Sequence, residues 1–194
     1  MIEGQTKGQL YRLISIAMDT HQINYVLKHH PATKPYFRGV YALDEIPRIF
    51  NGGKHCCVVN SDESNKSGSH WLAVYFDGIQ GQFFCSYGNP PAFYGGPLEN
   101  FMETFSEKWN FNTKRLQGTF STVCGQYCIY YLIKKCEGRS LREIVNVFGT
   151  DLHKNDEKVN AWFNRKYNVT FPTHDLAFAF TQFSRSFEDR EVNT

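Results

Sequence analysis

The sequence predicts an α+β fold in which a central mixed sheet is packed by a buried helix, and three observations carry that expectation. Strand-like runs cluster at Lys54 to Asn60, Trp71 to Phe76 and Gln82 to Ser86. From Leu98 to Trp109 the residues Leu98, Phe101, Met102, Phe105 and Trp109 recur every three to four positions, the spacing of one helical face. A largely apolar stretch from Cys124 to Lys135 has the length of a buried helix.

The elements follow in order. Leu10, Leu13, Ile14 and Ala17 share helical spacing and set Gly4 to Met18 apart as an N-terminal piece. Asp19 or Thr20 can cap a helix running to about Lys28, and Pro31 and Pro35 close that region. Asp77-Gly78 and Gly81 mark a hairpin between the second and third strands. Asn89-Pro90-Pro91 and Gly95-Gly96-Pro97 force a loop before the helix at Leu98 to Trp109. A strand is expected around Thr113 to Gln117, leading into the helix at Cys124, which Gly138 can terminate. Two further helices are expected at Ser140 to Phe148 and Asp156 to Tyr167. Without a repeat or linker, residues 1–194 read as a single domain, with 1–19 as an N-terminal extension and 184–194 as a flexible tail.

Composition narrows the function classes. A chain of 194 residues with 16% aromatic residues can bury a sizeable core, and a net charge of +2 permits contact with a polyanion without demanding it. No apolar run approaches the roughly 18 residues that span a bilayer. Met1-Ile2-Glu3-Gly4 does not start a secretory signal, so an intracellular protein is expected. The six cysteines fall unevenly, with Cys56 and Cys57 adjacent and Cys124, Cys128 and Cys136 on one predicted helix, which argues against a disulfide framework. Paired CxxC or HxxxH motifs that could hold zinc are missing.

The chemistry points to Cys124. A thiol where a loop turns into a helix meets unpaired amide N–H groups and the positive end of the dipole, which favour a thiolate. Gly125 leaves room for close approach, His70 heads a strand-like run and can serve as base, and Gln117 can bring an amide donor to a developing oxyanion. Taken singly, each has a plainer account: a packed thiol, a structural imidazole, a surface amide.

Read jointly, PYFRGVY at 35–41, SHW at 69–71, FFCSYG at 83–88 and LQGTFSTVCG at 116–125 resemble the adenovirus maturation protease family, adenain, with relatives in virophages and self-synthesising DNA transposons. The order of motifs also resembles the wider clan of ubiquitin-like-protein proteases, and the likeness runs from about Thr20 to Lys135. It implies a papain-like, adenain-like cysteine protease fold, with Cys124 as nucleophile, His70 as base and later proton donor, and Gln117 with the Cys124 backbone N–H as oxyanion donors. Trp71 follows the base as in the family. The implied substrates are viral precursor proteins cut at glycine-containing sites.

Two departures from the family pattern matter. Where the family has Asp or Glu in acid-x-aromatic-Gly, this chain has Cys85, and a neutral thiol is a poor partner for an imidazolium. The site then works as a Cys-His dyad, or draws an acceptor from a neighbour such as Asn89, or is impaired; a dyad or substituted triad is favoured. The interval Ser86 to Val123 also lacks the cysteine through which family members tether an activating peptide, so no disulfide-linked peptide is expected, while an activating peptide bound without a disulfide stays open. DNA stays open as a partner through Lys28, Lys34, Arg38, Lys134, Lys135, Arg139 and Arg142.

The resulting expectation is a monomeric cysteine endopeptidase, with no cofactor or metal required, that processes capsid or other virion precursors. It would work in the host cytoplasm or nucleus and be packaged in the virion. The alternatives are a deconjugating protease for a ubiquitin-like modifier and a non-catalytic capsid-binding module that keeps the fold.

Overall fold

The structure is a computed structural model that describes residues 17–47, 53–106 and 109–167. The proposed helical piece before Ala17 and the tail at 184–194 lie outside the described residues. Ten labelled elements follow in chain order: α1 (Thr20–His29), β1 (Phe37–Tyr41), β2 (His55–Asn60), β3 (Trp71–Phe76), β4 (Gly81–Phe84), α2 (Gly96–Phe105), β5 (Trp109–Phe111), α3 (Cys124–Cys136), α4 (Leu141–Asn146) and α5 (Leu152–Tyr167).

The five strands form one sheet in the order β1-β2-β3-β4-β5. β1 runs parallel to β2 and β5 parallel to β4, while the two central pairings are antiparallel, so the sheet is mixed as expected. Both of its faces are covered. Cys56, Val58, Ala73, Tyr75 and Phe84 point to the side where α1, α3, α4 and α5 pack. Cys57, Val59, Leu72, Val74 and Phe83 point to the other, against Leu98, Phe101 and Met102 of α2. This two-sided burial explains why β2 and β3 read as nearly continuous apolar runs.

The helix starts are set by local chemistry. Asp19 accepts the Gln22 backbone N–H at 2.8 Å while Gln22 accepts the Asp19 N–H at 3.1 Å, a reciprocal capping box for α1. Ser140 and Glu143 do the same for α4. In contrast, α3 follows Val123, which supplies no side-chain cap. Its first-turn donors are left for other acceptors. Gly138, at φ +92°, follows the end of α3 as anticipated.

Three element expectations are corrected. The helix beginning near Leu98 stops at Phe105, and Trp109 instead opens β5. Thr113 to Gln117 is not a strand; Leu116 and Gln117 each donate a backbone N–H to the Ser86 carbonyl, at 2.8 and 3.1 Å, in a loop crossing beside the end of β4. α5 begins at Leu152, ahead of Asp156, and β1 had not been assigned as a strand.

The antiparallel pairing places the start of β3 beside the end of β4, with Ala73 opposite Phe84. His70 and Cys85, which flank these strand ends, are thereby brought together. α3 packs on β3 and starts at Cys124.

Candidate active site

Cys124 and His70 line one cleft of about 610 Å³, whose wall includes Met18, Asp19, Trp71, Tyr87 and Ser121. Both side chains are largely buried, at 7% and 6% exposure. The His70 ring lies on Tyr87, with centroids 4.5 Å apart and planes at 22°. The Arg115 guanidinium stands 5.5 Å from the Tyr87 ring. Trp71 donates its indole N–H to the Met18 carbonyl at 2.8 Å, which pins the segment leading into α1 to the strand that follows the histidine.

The room that Gly125 was expected to leave for close approach is used by the lead-in to α1. A Cβ there would meet the Met18 Cβ at 2.9 Å and the Ile23 Cδ1 at 3.3 Å, so the missing side chain lets the lead-in to α1 seat against the start of α3.

The electrostatics are those of a neutral pair. Burial lowers the pKa of His70 to about 4. Burial also pushes the Cys124 thiol up; backbone N–H groups of Trp71, Gly125 and Cys124 oppose this without reversing it. Both shifts favour a thiol and a neutral imidazole over the thiolate expected from the sequence.

His70 Nε2 faces Cys85 Sγ at 3.6 Å, within reach of a hydrogen bond to sulfur. That occupies Nε2, and the other ring nitrogen is Nδ1. Asn89 turns elsewhere: its side-chain N–H donates to the Tyr94 hydroxyl at 3.4 Å. The third position beside His70 is thus filled by the Cys85 sulfur. Gln117 is fully buried; its carbonyl accepts the Ser86 hydroxyl at 2.6 Å and its amide N–H donates to the Ser121 carbonyl at 2.7 Å.

Sequence reasoning missed Asp156 and Tyr94. The Asp156 carboxylate accepts the Gly118 backbone N–H at 3.0 Å and the Tyr127 hydroxyl at 3.1 Å, fastening the loop between Gln117 and Cys124 to α5. Tyr94 lies 2.9 Å from Cys85 Sγ. A lone acid on an amphipathic helix and a tyrosine behind two prolines carry no local signal of such roles.

Among the residues considered for DNA, Lys134 pairs with Glu137 at 2.7 Å, Arg139 pairs with Glu143 at 3.6 Å, and Lys135 lies over the Tyr75 ring at 5.1 Å. These contacts give those cations local roles. Asp19, Glu45, Asp62 and Glu63 stand against Lys66 along the cleft, so its rim is acidic.

Burial of imidazoles has a measurable consequence. His30 and His70 are each lowered to about 4, first by desolvation, and desolvation lowers His55 as well. A depressed histidine pKa means that the folded state disfavours the proton. The stability these groups contribute is present above the unfolded value of about 6.5 and is lost as pH falls through the folded value. Urea titrations at pH 7, 5.5 and 4 are expected to show unfolding free energy falling steadily across that window.

A thiol at the start of a buried helix and an imidazole lining the same cleft are the groups that a cysteine nucleophile with a histidine base would require. No family model matches the chain. Over 109 residues, 49% of this chain, it is 29% identical to the SUMO-1 cysteine protease of African swine fever virus, in the Pretoriuskop tick isolate and a Namibian warthog isolate. The cysteine protease of the Badajoz strain of that virus matches to the same extent. The chain spans only 38% of the length of these relatives. A crystal structure of the selenomethionine-labelled African swine fever virus protease aligns with a TM-score of 0.42 at 23% identity, covering 55% of this chain and 43% of that one.

Proposed function

We propose that the chain is a cysteine endopeptidase that cleaves capsid or other virion precursor proteins, as in the adenain-like, papain-like enzymes its motifs resemble. The observation that carries this reading is the placement of Cys124 and His70 in one cleft, with sulfur at an uncapped helix start. The similarity to viral cysteine proteases supports it. His70 Nδ1 takes the Cys124 proton as the sulfur attacks the peptide carbonyl, and returns it to the leaving amine. In this reading the oxyanion is held by the Cys124 backbone N–H and by the Gln117 amide, which is fully buried and does not itself line the cleft. Water then hydrolyses the thioester with His70 again as base.

A second reading has its own support. The relatives named SUMO-1 cysteine proteases favour a deconjugating activity on a ubiquitin-like modifier. Incubation of wild-type protein and the Cys124→Ala variant with coexpressed capsid precursors, and separately with a diglycine-ended modifier conjugate, distinguishes the two. Cleavage of the precursors by wild type alone is the expected result. Cleavage of the conjugate alone would replace this reading with the second.

Gln117 provides a further test. Gln117→Ala is expected to lower peptide turnover by about a hundredfold while leaving the alkylation rate of Cys124 nearly unchanged, since alkylation forms no oxyanion. The variant should also lose about 1–3 kcal/mol of stability, because the buried Ser86 hydroxyl and Ser121 carbonyl lose their partner. Wild-type turnover in this variant would remove Gln117 from the oxyanion role.

A further inference from the structure

The third position of the site poses a chemical problem. A carboxylate beside the imidazole can only accept, so it fixes the proton on the near ring nitrogen. A thiol can also donate. If the Cys85 S–H turned to His70 Nε2, the imidazole would carry its proton on Nδ1 and could not accept one from Cys124.

The Cys85 sulfur has a second polar neighbour. Tyr94 Oη lies 2.9 Å away, closer than His70 Nε2 at 3.6 Å. Tyr94 ends a short 3-10 turn, Pro91–Tyr94, that follows Pro90, and the two prolines restrict the backbone that presents it. Its ring lies roughly parallel to that of His70, at 6.1 Å and 17°, and also meets Phe83 at 6.1 Å. Cys85 is itself fixed, since its backbone N–H and carbonyl both bond the Asn112 side chain, at 3.1 and 2.7 Å. The sulfur thus lies between the imidazole and the phenol in hydrogen-bond contact with both, and its neighbours hold it there.

We infer that Tyr94 is a positioning residue for His70: its hydroxyl oxygen accepts the Cys85 S–H, which turns the sulfur lone pairs toward His70 Nε2–H and leaves Nδ1 open as the base. The chain His70 Nε2–H to Cys85 Sγ–H to Tyr94 Oη runs in one direction, so each bond polarises the next. Asn89, donating to the same oxygen, holds the phenol in place. Tyrosine and thiol together then do the orienting work that a single carboxylate does elsewhere. This inference rests on the peptidase reading for its consequence in turnover, but not for the state of the ring.

The test is a pair of substitutions in two backgrounds, read by turnover and by ¹⁵N NMR of His70. In wild type the neutral ring is expected to carry its proton on Nε2. Tyr94→Phe frees the S–H to donate to Nε2, so the Nδ1–H form should grow. kcat should fall about tenfold with KM little changed, the effect of gaining one competing hydrogen bond. In a Cys85→Ala background the competing donor is gone, and Tyr94→Phe should then change neither kcat nor the tautomer. Equal losses in both backgrounds would mean that Tyr94 acts only through packing and would overturn the inference. Should Tyr94→Phe not fold, the wild-type spectrum still decides, since a resting Nδ1–H ring contradicts it. A protein that cleaves nothing yet shows the Tyr94-dependent tautomer would sink the peptidase reading and keep this one.

Discussion

Cys124→Ala is expected to lower peptide hydrolysis by on the order of 10⁴-fold or more, to the background of the assay, while the fold persists. The scale follows from removing a nucleophile whose partners act only through it. The fold persists because position 124 opens α3, alanine is the best helix former, and the lost sulfur borders a cleft that water can enter. The cost should be about 1 kcal/mol or less. Hydrolysis assays, thermal melts and labelling with a thiol-directed electrophile check the three parts together. Undiminished hydrolysis in a folded variant would move the chemistry away from this cleft.

His70→Ala is the second large effect, a loss of about 10²- to 10⁴-fold in turnover from removing the general base and acid. Because burial keeps the imidazole neutral at rest, its main service is to take a proton during attack rather than to hold a standing ion pair. Alkylation of Cys124 should shift to higher pH in the variant, where the thiol must ionise unaided. The same variant carries a stability signature. Without a buried imidazole that resists protonation, it should lose less unfolding free energy than wild type between pH 6.5 and 4. A variant with wild-type turnover, or with an unaltered acid profile, would contradict the assignment of His70 or of its burial.

How much of this was legible in the sequence can be judged residue by residue. The α1 start was readable because Asp19 and Gln22 form a local box that needs no tertiary context. The start of α3 at Cys124 was readable from the loop-to-apolar switch, and the third position at Cys85 from the Ser86-Tyr87-Gly88 sequence behind it. β5 was not readable. Trp109 continues the spacing of Phe101 and Phe105, and only its pairing beside Gly81 makes it a strand. β1 was hidden by Gly39, at φ +142°, which interrupts the strand pattern and lies at the register shift between Phe37 and Val40. In the site, the roles of Tyr94 and Asp156 come from contacts across the fold, and no periodicity reports such contacts. Asn89 had been offered as the acceptor for His70 because it is close in sequence; the loop turns it to Tyr94 instead.

The loop before Cys124 is fastened by Asp156, a residue that follows both catalytic candidates in the chain. A ribosome therefore releases the sheet with His70 first, the Cys124 thiol later, and the carboxylate that fastens the loop between them last. Domains fold as units once their sequence has emerged. A chain still being made lacks either Cys124 or the side chain that fastens the loop before it.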